Sequence, residues 1–289
     1  MPTAFVLAGG AALGAIEAGM VEALYERDIA PDYLVGTSAG ALNAVFLGSR
    51  PATLDTARTL QAVWRGIRRD SVFPPRLQVL IGGALGRRNY LFPNDGLREL
   101  ITEQLAVGRL EDLPTRVGVV VCDLLSGEEI LLESGPLVDA TLASAAIPGI
   151  FPPVSIGGRP TVDGGVANNT PISHAIAHGC DRVYVMPTGV SRRLHAPPRS
   201  AVAMFAQATA LLLHQRLRHE IEELRDQAEL IVLPPPWPLD VLPTDFTRAG
   251  ELIERARDDA RRALDTAHPE GASTDEALRR MAPDDDVAA

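Results

Sequence analysis

The sequence predicts an α/β fold in which helices cover both faces of a mostly parallel sheet. Short, wholly apolar runs recur along the chain, and such runs are typical of strands that are buried on both faces. Glycines follow the first two runs, at Gly9-Gly10 and at Gly36, and each turn leads into a segment with apolar residues at helical spacing. Strands that alternate with helices in this way favour parallel βαβ units.

The first 50 residues contain two strand–turn–helix units. Residues 3–8 form the first apolar run, and residues 16–24 carry apolar side chains at intervals of three and four. Residues 32–35 predict a second strand, and 41–47 begin a second helix. Later runs predict further strands at 117–122, 129–132, 183–186 and 230–233, and further helices at 96–105, 137–146, 201–228 and 248–264.

We expect one domain over residues 1–267, although 289 residues would also allow two small domains, since a domain has about 100–200 residues. The segment 64–95 is interrupted by prolines and paired glycines, so we expect a mobile cap or lid over the site. Its apolar part, 77–91, has an alternative interpretation as ordinary core with a loop. The acidic tail, 268–289, is expected to be disordered.

Composition excludes several classes of chemistry. All 27 cationic residues are arginine and none is lysine. Walker A loops, Schiff-base catalysis and Ser-x-x-Lys hydrolases each need a lysine, so all three are excluded. The net charge of −10 argues against a nucleic-acid partner, because phosphate contacts need a basic surface. The arginine-only, alanine-rich composition is also typical of high-GC bacteria.

The two cysteines, Cys122 and Cys180, lie in apolar contexts without metal-ligand spacing. We therefore expect reduced thiols and neither a metal nor a cofactor. The N-terminus lacks the basic region of a signal peptide, and the longest apolar stretch, 201–213, is too short to span a bilayer. These features predict a cytoplasmic protein that touches membranes only peripherally. Three arginine clusters could meet anionic head groups, although such clusters are more often simply solvated: 65–69, 87–88 and 192–193.

A possible nucleophile lies in the motif Gly36-Thr37-Ser38-Ala39-Gly40. The motif follows a predicted strand and precedes a predicted helix, which is the context of a G-x-S-x-G nucleophile elbow. The chain must reverse so tightly at Ser38 that side chains two residues before and two residues after it would collide. Glycine is therefore expected at both positions, and Gly36 and Gly40 occupy them. The following helix directs its positive N-terminal dipole at the hydroxyl. The alternative is a simple glycine–serine turn that caps a helix.

The glycine-rich turn Gly9-Gly10-Ala11-Ala12-Leu13-Gly14 also connects a strand to a helix. A dinucleotide fingerprint requires G-x-G-x-x-G, and Ala11 stands where the second glycine belongs. An oxyanion hole is another interpretation, because backbone N–H groups of such a turn can face a substrate carbonyl. The commonest role of such a turn is structural.

A serine hydroxyl needs a neighbouring base, and Asp163-Gly164-Gly165 offers a carboxylate. An ionised carboxylate can accept the proton directly when it is held within hydrogen-bond reach. His174 or His178 would formally fit the chain order of an α/β-hydrolase triad. However, the elbow follows only one strand–helix unit, which is too early for that fold, and the two histidines share one helix face. Surface positions on a helix are therefore the better interpretation for both.

Together these segments resemble the patatin-like phospholipases. The resemblance covers most of the chain in the family's order. It is carried by residues 5–24, GTSAG at 36–40, ASAAIPGIFPPV at 143–154, VDGGVANNTP at 162–171, and 238–260, which resembles the family's closing helix.

The resemblance implies a three-layer α/β/α fold and a Ser-Asp dyad without histidine. Ser38 would be the nucleophile and Asp163 the general base, with no metal required. The turn from Gly9 to Gly14 would form the oxyanion hole, chiefly through the N–H groups of Gly10 and Ala11, with Ala12 as a further donor. The family's turn usually reads G-G-G-x-R-G, so this chain departs from it at Ala11 and Leu13. If position 11 has a positive φ, or lies close to the substrate, its methyl group would lower activity.

We expect a serine-type lipid acyl hydrolase that acts on a phospholipid, a lysophospholipid or a neutral ester through an acyl-enzyme. A transacylase, in which a lipid hydroxyl replaces water, would share that intermediate. A catalytically weak lipid-binding protein is a further alternative, while Ala11 argues against nucleotide binding. The expected partners are a lipid or ester substrate and, transiently, a membrane surface. The sequence does not determine the head group, chain length, positional preference or oligomeric state.

Overall fold

The structure is a computed structural model that describes five stretches of the chain: 1–74, 76–105, 108–189, 196–236 and 241–266. Within them, helices flank both sides of a central sheet whose main strands are parallel. The predicted fold class is therefore confirmed. The predicted acidic tail, 268–289, and the arginine pair 192–193 lie outside the described residues.

The sheet contains eight strands in the described residues. They are β1 (Thr3–Leu7), β2 (Tyr33–Thr37), β3 (Arg116–Asp123), β4 (Glu129–Leu132), β5 (Val154–Ile156), β6 (Arg159–Asp163), β7 (Arg182–Met186) and β8 (Glu229–Val232). Five parallel strands follow the order β3-β2-β1-β7-β8. Both β4 and β6 pair antiparallel with β3, and β5 pairs antiparallel with β6.

The helices of the described residues are α1 (Ala15–Tyr25), α2 (Ala39–Gly48), α3 (Leu54–Gly66), α4 (Arg69–Val72), α5 (Leu77–Ala84), α6 (Asp95–Gln104), α7 (Leu137–Ser144), α8 (Ile172–Ala177), α9 (Ala201–Leu224) and α10 (Ala249–Thr266). Each strand and helix predicted from the sequence has its counterpart among these elements. Cys122 and Cys180 are buried and unpaired, as predicted.

Two cores lie on opposite faces of the sheet, because successive strand residues point to opposite sides. On β1, Phe5 and Leu7 join the larger core with residues of α1, α2, α3, α6, α7 and α10. Ala4 and Val6 join the second core, beneath α8 and α9. Wholly apolar strands follow from this arrangement, since both faces of the sheet are covered.

The structure contains elements that the sequence pattern did not indicate. One is α3, which begins at a Thr53 cap whose hydroxyl accepts a hydrogen bond from the Thr56 N–H. Another is the β5–β6 hairpin, which turns at Gly157-Gly158, both with positive φ. Pro160 lies inside β6, which pairs with β3 and with β5. It hides the strand from a pattern search, because a proline has no backbone N–H to donate to a sheet.

The predicted cap segment, 64–95, contains the end of α3, all of α4 and all of α5. Its α5 helix exposes three large apolar side chains on one face: Leu77 by 70%, Ile81 by 48% and Leu85 by 61%. The segment is attached at Tyr90 and Leu91, whose backbones pair with Gly149. It therefore adjoins the loop that connects α7 to β5.

Four phenylalanines join three separate segments of the chain around Phe73. The Phe73 ring stacks on Phe151 at 5.4 Å and meets Phe92 edge-on at 5.6 Å and Phe246 at 6.2 Å. Phe151 is 2% exposed. The cluster holds the cap segment against the loop before β5 and the stretch before α10.

Phe151→Ala is expected to lower the free energy of unfolding by about 3–5 kcal/mol, because it leaves a cavity in this cluster. Urea unfolding followed by circular dichroism measures the change. Phe205→Ala is the matched control: this side chain is 76% exposed, so its loss should change stability by less than about 0.5 kcal/mol. Equal losses in both variants would contradict the structural role of the cluster.

Candidate active site

Ser38 lies at the sharp reversal between β2 and α2. Its backbone has φ 56° and ψ −119°, a conformation that costs a non-glycine residue about 1–3 kcal/mol. The Ser38 N–H donates to Ser144 Oγ at 2.8 Å, and that hydroxyl donates to the Val120 carbonyl at 2.6 Å. The strained residue is therefore tied to both α7 and β3.

The two glycines of the motif make contacts that leave no space for a side chain. A Cβ on Gly36 would lie 2.3 Å from the Gly40 carbonyl oxygen, and a Cβ on Gly40 would lie 2.2 Å from the Leu7 carbonyl oxygen. Both neighbours are backbone atoms that cannot move aside. The chain can therefore reverse at Ser38 only with glycine at these positions.

Asp163 reaches Ser38 through the pairing of β3. On one edge of β3, β4 pairs with Val120 and Val121. On the other edge, Thr37 of β2 pairs with Val120, and Asp163 of β6 pairs with Val121. Since β2 and β6 share this edge and run toward each other, their ends meet. Ser38, the residue after Thr37, thus lies beside Asp163.

The two side chains form a short, buried hydrogen bond. Ser38 Oγ donates to Asp163 Oδ2 at 2.6 Å, and the Gly165 N–H donates to Asp163 Oδ1 at 2.8 Å. Ser38 is 6% and Asp163 7% exposed. Gly164 lies against β3, where a Cβ would be 2.3 Å from the Val120 carbonyl oxygen.

Burial raises the pKa of Asp163 to about 6, and the hydrogen bonds from Ser38 and Gly165 oppose this rise. The carboxylate is ionised at neutral pH but less stable as an anion than an exposed aspartate. A base whose pKa lies near neutrality suits proton transfer from a hydroxyl. The arrangement can therefore deprotonate Ser38 as the serine attacks.

The glycine-rich turn lies beside Ser38 and has two unpaired N–H groups. Among the described residues, no acceptor faces the N–H of Gly10 or Ala11. The Gly9 N–H donates to the Asn169 carbonyl at 3.0 Å, and the Ala12 N–H donates to the Pro243 carbonyl at 2.9 Å. Since the Gly9 and Ala12 N–H groups are already engaged in this conformation, an oxyanion role of the turn would depend on Gly10 and Ala11.

Ala11 has φ 51°, in the left-handed region. Such a backbone costs alanine about 1–2 kcal/mol relative to glycine. This chain therefore has alanine, where the family usually has glycine, at a position whose backbone conformation favours glycine.

A buried polar cluster holds this turn against α2. Asn43 of α2 donates to the Gly14 carbonyl at 2.9 Å and to Glu17 Oε2 at 2.7 Å, and it accepts from Trp64 Nε1 at 2.8 Å. Burial raises the pKa of Glu17 well above its usual range. Since α2 begins directly after Ser38, the cluster fixes the turn relative to the serine.

Four residues that the motif analysis did not assign also position the site. They are Ser144, Asn169, Thr188 and Pro243. Thr188 Oγ1 donates to the Gly9 carbonyl at 2.7 Å. Asn169 follows the acid motif closely, so its position in the chain was a usable signal. Thr188 and Pro243 are distant in sequence and carry no such signal.

The histidines considered as bases are bound elsewhere. His174 Nε2 lies 2.6 Å from Glu129, and His178 Nε2 lies 2.9 Å from Glu133. The His178 ring also stacks on Tyr33 at 4.3 Å. Both are partly buried rather than fully exposed on a helix. In the described part of the chain, no group of three His, Cys, Asp or Glu residues could hold a metal ion.

A family model described as Patatin-like phospholipase matches residues 5–176. The chain belongs to the patatin-like phospholipase family. The resemblance carried by the motifs is confirmed, and membership implies lipid acyl-hydrolase chemistry at the level of the family. The match includes Ser38, Asp163 and the glycine-rich turn. It ends before 238–260, whose likeness to a family closing helix stays a prediction.

The relatives are longer proteins. One is an uncharacterised NTE family protein of Mycobacterium tuberculosis (strain CDC 1551 / Oshkosh), 30% identical over 167 residues, which are 57% of this chain and 27% of the relative. Another is the triacylglycerol lipase SDP1L of Arabidopsis thaliana, 29% identical over 160 residues, 52% of this chain and 20% of the relative. The matched part of this chain thus covers about a fifth to a quarter of the length of these relatives.

Among solved structures, VipD from Legionella pneumophila is similar with a TM-score of 0.47 and 17% sequence identity, over 92% of this chain and 67% of that one.

In the stretches that the structure describes, no helix is both long and apolar enough to cross a bilayer.

Asp163→Asn is expected to raise the free energy of unfolding by about 1–3 kcal/mol at pH 8, since it removes a buried charge. The folded pKa of Asp163, about 6, exceeds the unfolded value of about 3.9. The ionised carboxyl therefore destabilises the fold at higher pH, and the difference should fade toward pH 4. Urea unfolding at both pH values tests this. The control, Asp226→Asn, removes an exposed carboxyl and should change the free energy of unfolding by less than about 0.5 kcal/mol.

Proposed function

We propose that the protein hydrolyses carboxylic esters of lipids, with Ser38 as nucleophile and Asp163 as general base. The observation that carries this proposal is the buried 2.6 Å hydrogen bond from Ser38 Oγ to Asp163 Oδ2, formed by a serine in a strained elbow at the start of α2. Membership of the patatin-like phospholipase family supports the lipid substrate class.

In the proposed mechanism, Ser38 Oγ attacks the ester carbonyl while Asp163 takes its proton. The N–H groups of Gly10 and Ala11 bind the oxygen that becomes negative, and the N-terminus of α2 favours the same charge. Asp163 then protonates the departing alcohol, which leaves an acyl group on Ser38. Water, deprotonated by Asp163, attacks this acyl-enzyme and releases the fatty acid.

The proposed substrates are phospholipids, lysophospholipids and neutral esters. The name of the Arabidopsis relative, a triacylglycerol lipase, supports the last of these. We further propose that the segment 64–95 acts as a cap, which fits the apolar face of α5 and its attachment at Gly149. Transient contact with a membrane surface belongs to the same proposal, because a lipid hydrolase must reach an aggregated substrate.

A fluorophosphonate probe is expected to label Ser38, and the labelling rate should rise with pH to a plateau above pH 7. Labelling requires the ionised base, so the midpoint should lie near the Asp163 pKa of about 6. Below that midpoint the rate should fall about tenfold per pH unit. Intact-protein mass spectrometry follows the rate, and peptide mapping locates the adduct.

Two variants make this test specific. Ser38→Ala should abolish labelling, and Asp163→Asn should reduce it by at least about a hundredfold. Both should remain folded. A folded wild-type protein without label or turnover on p-nitrophenyl esters would contradict the proposal and favour a lipid-binding role.

Ala11→Gly is expected to raise kcat on short-chain esters, because glycine adopts φ 51° without strain and removes a methyl group beside the proposed oxyanion site. The gain should be between about twofold and tenfold, which corresponds to about 0.4–1.4 kcal/mol. Steady-state kinetics measures it, and Ala12→Gly is the control, since the Ala12 N–H is already bonded to Pro243. An unchanged or lower kcat in Ala11→Gly would show that the alanine does not narrow the site.

A further inference from the structure

Within the described residues, the long helix α9 contributes buried apolar side chains to the core only from its C-terminal half. Leu217, Ile221 and Leu224 are buried in the second core beneath the sheet. They recur at intervals of three and four residues, which is one stripe of a helix. By contrast, the half before His214 has large side chains that stay in solvent. The packed and unpacked parts of α9 meet at residue 214.

The unpacked half extends past the carboxyl edge of the sheet. With 24 residues, α9 is about 36 Å long, whereas β7, with 5 residues, spans about 16 Å. The C-terminal end of α9 lies near the amino edge, because β8 starts four residues beyond Arg225 and Glu229 pairs with Arg182. The helix therefore overshoots the sheet at its other end by about 20 Å.

Ser38 and the glycine-rich turn lie at this same carboxyl edge. They follow the carboxyl ends of β2 and β1, and Thr188, just beyond β7, bonds to Gly9. The overshooting half of α9 thus projects from the side of the molecule on which the candidate active site opens.

The projecting half carries an outward apolar surface, which we call the α9 apolar face. It consists of Met204, Phe205, Leu211 and Leu212, which are 47%, 76%, 44% and 65% exposed. At 100° per residue each of these four lies about 110–150° from the packed stripe, on one side or the other, and their centre lies about 170° from it. They point away from the core, so the core does not explain them.

The outward side of α9 changes from apolar to charged and polar where the helix begins to pack on the sheet. Beyond residue 214 the same side carries His219, Glu222 and Glu223, all well exposed. From 200 to 213 the chain has no charged residue. Apolar side chains on the outward side are therefore confined to the part that projects beyond the sheet.

A second copy of the chain is a poor occupant for this face. The projecting half is about 20 Å long and a helix is about 10–12 Å wide, so the face covers about 200–240 Å². A stable protein interface buries about 800 Å² on each partner. A lipid surface has no such requirement, since apolar side chains at a helix end can insert between its head groups. The missing charge suits insertion into a neutral surface.

We infer that the α9 apolar face docks the protein on a lipid bilayer, with the site that opens at the same edge turned toward it. The inference rests on the proposed function only because a lipid substrate gives the docking its purpose. The docking itself does not require catalysis. Binding depends on apolar insertion, so it should change little with salt or with the fraction of anionic lipid.

The test is co-sedimentation of the full chain with phosphatidylcholine vesicles. Ser38→Ala is the background, so that no lipid is hydrolysed. Replacement of the α9 apolar face (Met204→Gln, Phe205→Gln, Leu211→Gln and Leu212→Gln together) should lower the partition coefficient at least about tenfold. All four side chains are exposed, so the melting temperature should stay unchanged.

The matched control replaces exposed residues on the same outward side of α9 but in its packed half, with His219→Gln, Glu222→Gln and Glu223→Gln. It should keep vesicle binding within about twofold of the parent. Loss of binding in this control but not in the replacement of the α9 apolar face would overturn the inference. So would a Ser38→Ala protein that does not sediment with vesicles.

Two further measurements separate the remaining explanations. Light scattering gives the molar mass, and a dimer that the α9 replacement dissociates would make the face an interface between copies and overturn the inference. Fluorophosphonate labelling of Ser38, in an otherwise wild-type chain with the α9 replacement, should proceed at the unaltered rate. Since vesicle binding is measured on Ser38→Ala, docking and esterase chemistry can fail independently.

Discussion

One edge of β3 is shared by two strands that run toward each other, and the candidate site depends on this pairing. Thr37 of β2 and Asp163 of β6 pair with adjacent residues, Val120 and Val121. The two strands thus end head to head, which brings together Ser38 and Asp163, two residues that are 125 positions apart in the chain. The short side chains of Ser38 and Asp163 are long enough to form their hydrogen bond, because the register of the sheet places the two backbones side by side.

The close meeting of these chain ends leaves little free volume. Gly40 and Gly164 lie against backbone carbonyls at distances that exclude a Cβ, and Ser38 takes a strained backbone conformation. The strain is held by hydrogen bonds from three directions: the Ser38 N–H to Ser144, the Leu42 N–H to the Ser38 carbonyl, and the Ser38 hydroxyl to Asp163. The Ser38 hydroxyl is therefore held in place by both strands and helices of the fold.

Burial of the site also determines the pKa of Asp163. The Asp163 carboxyl is desolvated, which raises its pKa, and among the described residues the Gly165 N–H and the Ser38 hydroxyl are the two groups that stabilise its anion. An aspartate in this environment can act as a base near neutral pH without a histidine between it and the serine. The glycine-rich turn is held against α2 by Asn43, and its Gly10 and Ala11 N–H groups have no acceptor among the described residues.

The sequence by itself determined the fold class, most of the strands and helices, the family and the motifs around Ser38 and Asp163. These depend on local patterns: apolar runs, glycine turns and helical spacing, all of which act over a few residues. Three-dimensional contacts, by contrast, leave the Gly10 and Ala11 N–H groups without an acceptor among the described residues, because the Ala12 N–H donates to Pro243 and the Gly9 N–H to Asn169. It is the tertiary structure that shows this. It also decided that α9 leaves half its length unpacked. Both outcomes depend on contacts between residues far apart in the chain, for which a sequence pattern has no local signal.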